Sequence, residues 1–230
     1  MRPYVSRIEV HYRCIKEVTS MSVTELVFIL DRSGSMSGME KDTIGGFNSM
    51  IEKQKKQAGE CYVSTVLFDN ESEVVHDRVK LSEIEPMTED DYYVRGCTAL
   101  IDAVGGAIHH IGNIHKYARP EDRPAKTLFI ITTDGMENAS TEYNNESIKA
   151  LVDRLDHAGW VFTYIGANQD AIYVANSMGI RNALQYDSDE EGTKAMWDQE
   201  RNSRKAFYGR TQTIKSRSKL KRGYFEEDNE

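Results

Sequence analysis

Leu26-Val27-Phe28-Ile29-Leu30-Asp31-Arg32-Ser33-Gly34-Ser35-Met36 decides the fold, because an unbroken apolar run leads straight into an Asp-x-Ser-x-Ser cluster. A short apolar run bounded by turn residues reads as a strand buried on both faces, as in a parallel sheet. The cluster is then delivered at the carboxyl end of that strand. A carboxylate and two hydroxyls at alternate positions of a tight turn can face one point, as a hard, oxygen-seeking cation such as Mg²⁺ requires. Asp, Ser and Gly are also ordinary turn residues, so the pentapeptide alone leaves a plain capped turn open.

Two later segments add to it. Gly96-Cys97-Thr98-Ala99-Leu100 offers a hydroxyl just before a helical pattern, and Ile130-Ile131-Thr132-Thr133-Asp134-Gly135 ends a second apolar strand with another carboxylate. Oxygen donors at two strand ends fit the crevice of an open parallel sheet, where ligands collect. On these residues the chain resembles a von Willebrand factor type A domain of the bacterial, intracellular, stand-alone kind, with its metal-ion-dependent adhesion site (MIDAS) motif matched in full. The resemblance covers residues 22–186.

The rest of the chain supplies the alternation that such a domain needs. Strands are expected at 24–30, 61–68, 72–79, 126–133, 160–165 and 182–186, with the second and third joined as a hairpin across Asp69-Asn70-Glu71. Ile44, Phe47 and Ile51 mark a helix ending near Gly59, and Leu100, Val104, Ile108 and Ile111 mark another. Further helices are expected over 148–155, stopped by Gly159, over 170–178, stopped by Gly179, and over 190–208. The polar segment 80–95 reads as a long surface connection. The expected fold is α/β: a Rossmann-like, doubly wound, mostly parallel six-stranded sheet with one antiparallel edge strand and helices on both faces.

The chain has 230 residues and a net charge of −8, a size that one α/β domain fills. Three domain segments follow: 1–20, 21–209 and 210–230. Ile8, Val10, Tyr12 and Cys14 alternate with polar residues as an edge strand would. Lys16-Glu17-Val18, however, can be encoded by a bacterial ribosome-binding sequence just before Met21, so the competing expectation for 1–20 is a translated leader rather than an extra N-terminal segment of the protein. Segment 210–230 reads as a flexible charged tail: six cations from Arg210 to Arg222 precede four anions from Glu226 to Glu230, so the first 209 residues carry −10. An acidic body argues against nucleic acid as a partner. No apolar run approaches the ~20 residues that span a bilayer. The start is charged rather than signal-like, and Cys14, Cys61 and Cys97 are odd in number and far apart, so the expected compartment is a reducing cytoplasm.

The resemblance implies roles. Ser33 and Ser35 would bind the ion directly; Asp31 and Asp134 would hold its waters and fix the hydroxyls; Thr98 would bind directly or through water. Such a first coordination layer is neutral, so the dication, Mg²⁺ with Mn²⁺ as the alternative, can accept an Asp or Glu carboxylate from a partner protein. Gly34, Met36, Gly135 and Met136 form the expected partner-binding rim, with Tyr92 and Tyr93 exposed near it. Thr98 also stands where it could cap the following helix. The chain is therefore expected to be a non-catalytic protein-binding adaptor.

Two other function classes compete. Haloacid-dehalogenase-type phosphatases also place Asp after their first strand and bind Mg²⁺, but they need a second Asp two positions on; here that position is Ser33, which cannot replace it as acid and base. A scaffold acting through the basic tail is the other. Neither G-x-x-x-x-G-K-[ST] nor G-x-G-x-x-G occurs. His109, His110 and His115 share one helix without a carboxylate or Cys to complete a zinc set, Cys97 reads as packing, and Asn168-Gln169-Asp170 reads as a helix cap.

Overall fold

A computed structural model describes residues 23–56, 59–167, 170–187, 190–213 and 224–225. The strands are β1 (Thr24–Asp31), β2 (Cys61–Phe68), β3 (Ser72–Lys80), β4 (Lys126–Thr133), β5 (Trp160–Ala167) and β6 (Asn182–Tyr186). They form one sheet in the order β3-β2-β1-β4-β5-β6. Every neighbouring pair is parallel except β2 with β3. The helices are α1 (Glu40–Lys55), α2 (Leu100–Tyr117), α3 (Asn145–His157), α4 (Ala171–Ser177) and α5 (Glu190–Thr213).

This topology fixes where a ligand can sit. From β1 the chain winds outward to β2 and β3, then returns to place β4 on the other side of β1. The loops leaving β1 and β4 part in opposite directions, which opens a crevice at their carboxyl ends. Asp31 closes β1 and Asp134 follows β4, so both carboxylates arrive at this switch point.

Burial on both faces explains why the apolar runs were so clear. Val27, Ile29, Phe129 and Ile131 pack beneath α2, α3 and α4, and Leu26, Phe28, Leu30, Leu128 and Ile130 pack beneath α1 and α5. Phe47 of α1 meets Phe28 edge to face at 5.4 Å. The exception on β1 is Glu25, fully buried, whose carboxylate pairs with Arg78 at 2.6 Å and with His115.

Two expectations need correction and one needs refining. Segment 80–95 is a mostly exposed connection, as expected, but Leu81, Ile84, Met87 and Tyr92 anchor it by being buried against the α1 face. Their spacing among acidic residues has no helical or strand period, so the sequence did not show it. The helix from residue 190 runs to Thr213 and is not simply polar, because Met196, Trp197, Glu200 and Arg204 are buried along it. Within the expected tail, 210–213 belong to α5, and Tyr224 is 2% exposed, donating its hydroxyl to Glu200 and its amide to Asn182. That part of the segment belongs to the fold. The proposed leader, 1–20, lies outside the described residues. Gly159 and Gly179 take positive φ at the ends of α3 and α4, as cap residues do.

Candidate metal centre

The turn after β1 is a single 3-10 turn, Gly34–Met36. Asp31 Oδ1 accepts the Ser33 amide at 2.7 Å, which curls the chain back on itself and brings the hydroxyls of Ser33 and Ser35 to 3.0 Å from one another. Thr98, from a loop 65 residues away, donates its hydroxyl to Ser33 Oγ at 2.9 Å. Three hydroxyls therefore meet in one cluster at the switch point.

Thr98 is held there by the third loop. Asn138 accepts the Thr98 amide through its side chain and donates its own amide to the Thr98 carbonyl, both at 3.0 Å. The alternative role for Thr98, capping α2, is taken by other residues. Glu137 accepts the Ile101 amide at 2.9 Å and Ser140 Oγ accepts the Asp102 amide at 3.0 Å. Asp102 in turn accepts the amides of Thr141, Glu142 and Tyr143. This exchange fastens the loop after β4 to the start of α2 and leaves the Thr98 hydroxyl facing the serines.

Gly135 completes the site by lacking a side chain. A Cβ there would stand 2.7 Å from Thr98 Oγ1, 2.8 Å from Ser35 Oγ and 3.3 Å from Asp31 Oδ2. Thr133 bridges the carboxylate to this turn, donating its hydroxyl to Asp31 Oδ2 and accepting the Gly135 amide. Asp134 Oδ1 is buried with no hydrogen-bond partner. Burial pushes the Asp31 carboxyl above its ordinary range, opposed by hydrogen bonds from Thr133 and Ser33, with the neighbouring charge of Asp134 adding to the rise. Burial also raises Asp134, opposed by the Ser35 hydroxyl. Burial thus disfavours the charged form of both carboxyls, and a cation beside them would restore it.

The residues fit a hard divalent ion. Hydroxyl and carboxylate oxygens on three loops converge, one buried carboxylate oxygen lacks a partner, and Gly135 leaves room. Among the described residues, no cluster of three or more His, Cys, Asp or Glu is placed to hold a metal, so the donor set is one of hydroxyls with carboxylates beside them.

Other residues fall as follows. Gly34 is exposed and donates its amide to the Gly96 carbonyl at 3.1 Å. Met136 is 76% exposed and Tyr93 46%. Met36 does not belong to the rim: the 3-10 turn points it inward, and it is 1% exposed. Tyr92 is likewise buried, with its hydroxyl on the Asp31 carbonyl. The three histidines of α2 diverge to separate partners, His109 to Tyr143, His110 to Asp77 and His115 to Glu25. Cys97 is exposed rather than packed. Asp170 caps α4 by accepting the Tyr173 amide, while Asn168 and Gln169 lie outside the described residues. The sequence did not mark Thr133, Asn138, Glu137 or Asp102 as parts of the site; each works through a partner distant in sequence.

Comparison of the structure with solved proteins agrees with this architecture. The domain of the type V pili tip protein Mfa5 from Porphyromonas gingivalis superposes with a TM-score of 0.57 at 12% identity, over 81% of this chain and 96% of that one. The fold is the von Willebrand factor type A fold. A type A protein from Catenulispora acidiphila matches with a TM-score of 0.53 at 13% identity, over 79% of this chain and 42% of that one. Proximal thread matrix protein 1 of the mussel byssus, in a form whose MIDAS motif is occupied by zinc, matches with a TM-score of 0.52 at 14% identity, over 79% and 45%. The type A fold here thus spans less than half the length of those two proteins. No protein-family model and no curated protein matches the sequence.

Proposed function

We propose that this type A domain is a metal-dependent adaptor. Its ion, Mg²⁺ with Mn²⁺ as the alternative, would be held by Ser33, Ser35 and Thr98 with Asp31 and Asp134 beside them, and would accept an Asp or Glu carboxylate from another protein. The observation that carries this reading is the meeting of three hydroxyls from two loops beside a glycine whose missing side chain leaves the space open. Neutral hydroxyls leave a dication short of negative charge, so an incoming carboxylate gains a strong, directional bond. The same ion would offset the repulsion between Asp31 and Asp134.

Ser35, Gly34, Met136 and Tyr93 are exposed, and a Met and an aromatic on the surface of the loops that carry the donors suit protein contact. The reading is non-catalytic, since Ser33 stands where a phosphatase of the competing class needs its acid. Free thiols at Cys61 and Cys97 suit a reducing cytoplasm, and among the described residues no helix is long and apolar enough to cross a membrane.

Affinity capture from the native cell, in Mg²⁺ and in EDTA, tests the reading. The expected result is a partner retained in Mg²⁺, released by EDTA, and absent with Asp31→Ala, Ser33→Ala or Asp134→Ala at unchanged circular dichroism. A partner retained in EDTA and by all three variants would remove the metal as the contact.

A further inference from the structure

Arg32 occupies the x position of the Asp-x-Ser-x-Ser cluster, between two site residues, yet its side chain is fully buried. It leaves the metal site and reaches the β2–β3 hairpin. There its Nε donates to Asp69 Oδ2 at 2.9 Å and its Nη1 to Glu73 at 2.6 Å. Arg95, from the loop that carries Thr98, donates its Nε to the same Asp69 oxygen at 2.6 Å. The Tyr93 ring lies against both guanidinium groups, at 5.4 and 5.6 Å. One buried carboxylate, 1% exposed, thus joins the two loops that supply the hydroxyls.

Main-chain bonds follow the same path. Asp69 accepts the Ala99 amide through its carbonyl at 2.8 Å, the Arg32 carbonyl accepts the Arg95 amide at 2.8 Å, and the Phe68 carbonyl accepts the Arg32 amide at 2.8 Å. Gly96, at φ +70°, lies so close to the hairpin that a Cβ would meet Asn70 Oδ1 at 2.2 Å. Burial works to raise the Asp69 carboxyl, but hydrogen bonds from Arg95, the Glu71 amide and Arg32 outweigh it and hold it below the usual range. Asp69 is therefore a fixed anion between two cations, one of which has no access to water.

We infer that Asp69 is a positioning residue for the metal site: through Arg32 and Arg95 it holds the Ser33–Ser35 turn and the Thr98 loop at the spacing that lets their hydroxyls share one ion. This rests on the metal reading above and adds a residue that would never touch the ion. Removing the charge keeps Arg32 on Glu73 and Arg95 near Glu71, but takes away the one anion that the two guanidinium groups share, so the tie between the two loops is lost. Groups that orient metal ligands from behind typically control affinity by about ten- to a hundredfold.

Mn²⁺ titration of the full chain, followed by the electron paramagnetic resonance signal of free Mn²⁺, tests this in five proteins: wild type, Asp31→Ala, Asp69→Asn, Arg95→Gln and Ile108→Ala. Arg95 is 42% exposed, so its replacement tests the same clamp without endangering the fold. Ile108 is buried in the core away from the clamp and reports what lost stability alone does. The expected result is Asp31-dependent binding by wild type, weakened about tenfold or more by Asp69→Asn and less by Arg95→Gln, with Ile108→Ala within about twofold of wild type. Wild-type affinity in Asp69→Asn and Arg95→Gln would overturn the inference and leave the metal reading standing. Equal weakening by Ile108→Ala would also overturn it. Absence of Asp31-dependent binding by the wild type would overturn the metal reading itself.

Discussion

Gly135→Ala probes the space at the centre of the site. Gly135 is not among the glycines with positive φ, so alanine meets no backbone penalty and the effect comes from one methyl group. That methyl would stand 2.7 and 2.8 Å from the Thr98 and Ser35 hydroxyls, closer than side-chain carbons are found to approach. An ion bonded to those hydroxyls at about 2.1 Å would compete for the same volume. Ser35 is exposed and can swing away, but Thr98 is 3% exposed and hydrogen-bonded to Ser33, so relief comes by spoiling the donor geometry. Overpacking of this size costs the fold about 1–3 kcal/mol. A misplaced donor set costs binding about 1.4–2.7 kcal/mol, or ten- to a hundredfold. Calorimetric Mg²⁺ titration and thermal unfolding with and without Mg²⁺ measure both. For the wild type, Mg²⁺ at a hundred times its Kd adds about 2.7 kcal/mol of stability. In Gly135→Ala, at the same Mg²⁺ concentration, that increment should fall to about 1.4 kcal/mol for a tenfold loss of affinity and about 0.4 kcal/mol for a hundredfold loss. A variant that keeps the full Mg²⁺-dependent rise in Tm would refute the placement of the ion beside Gly135.

Three further outcomes follow from the packing. Gly46→Ala would drive a Cβ to 1.9 Å from the Trp197 ring, so it should cost about 1–3 kcal/mol in urea unfolding while Mg²⁺ affinity stays near wild type. Glu25→Ala removes the buried anion facing Arg78 and His115 and should cost about 3 kcal/mol or more by the same measurement; a cost under ~1 kcal/mol would mean the pair is incidental. Burial lowers the pKa of His76, which stacks on Phe47 at 6.3 Å. Its neutral form is favoured in the fold, so its contribution is complete above about pH 6.5 and is lost as pH falls through the lowered value. Replacing it, as in His76→Phe, should flatten the decline in stability as pH falls below about 6.5 relative to wild type.

The strands were legible because burial on both faces leaves an apolar run that needs no partner to be recognised; β4 was expected at the bounds it has, Lys126–Thr133. The candidate site was legible to the extent that its oxygen-bearing residues are encoded next to strand ends, as Asp31, Ser33, Ser35 and Asp134 are. Thr98 was ambiguous because a hydroxyl before a helix serves either purpose, and it takes the side chains of Glu137 and Ser140, brought from another loop, to remove the capping role. Met36 and Tyr92 misled for a related reason: each lies in a polar loop, and burial there is decided by how the loop turns, a 3-10 turn at Met36 and the packing on the α1 face at Tyr92, rather than by local period. Arg32 and Asp69 are 37 residues apart, and nothing in a solvent-like Arg or a turn-forming Asp announces that they pair inside the protein.

A crystal of the full chain grown with Mn²⁺ and recorded at the manganese edge would test the central claim most directly. The account predicts one anomalous peak at bonding distance from the hydroxyls of Ser33 and Ser35, beside Thr98 and Asp134, with a coordination place open toward solvent between Gly34 and Met136. A crystal that takes up Mn²⁺ elsewhere, or none at these oxygens at saturating concentration, would contradict it.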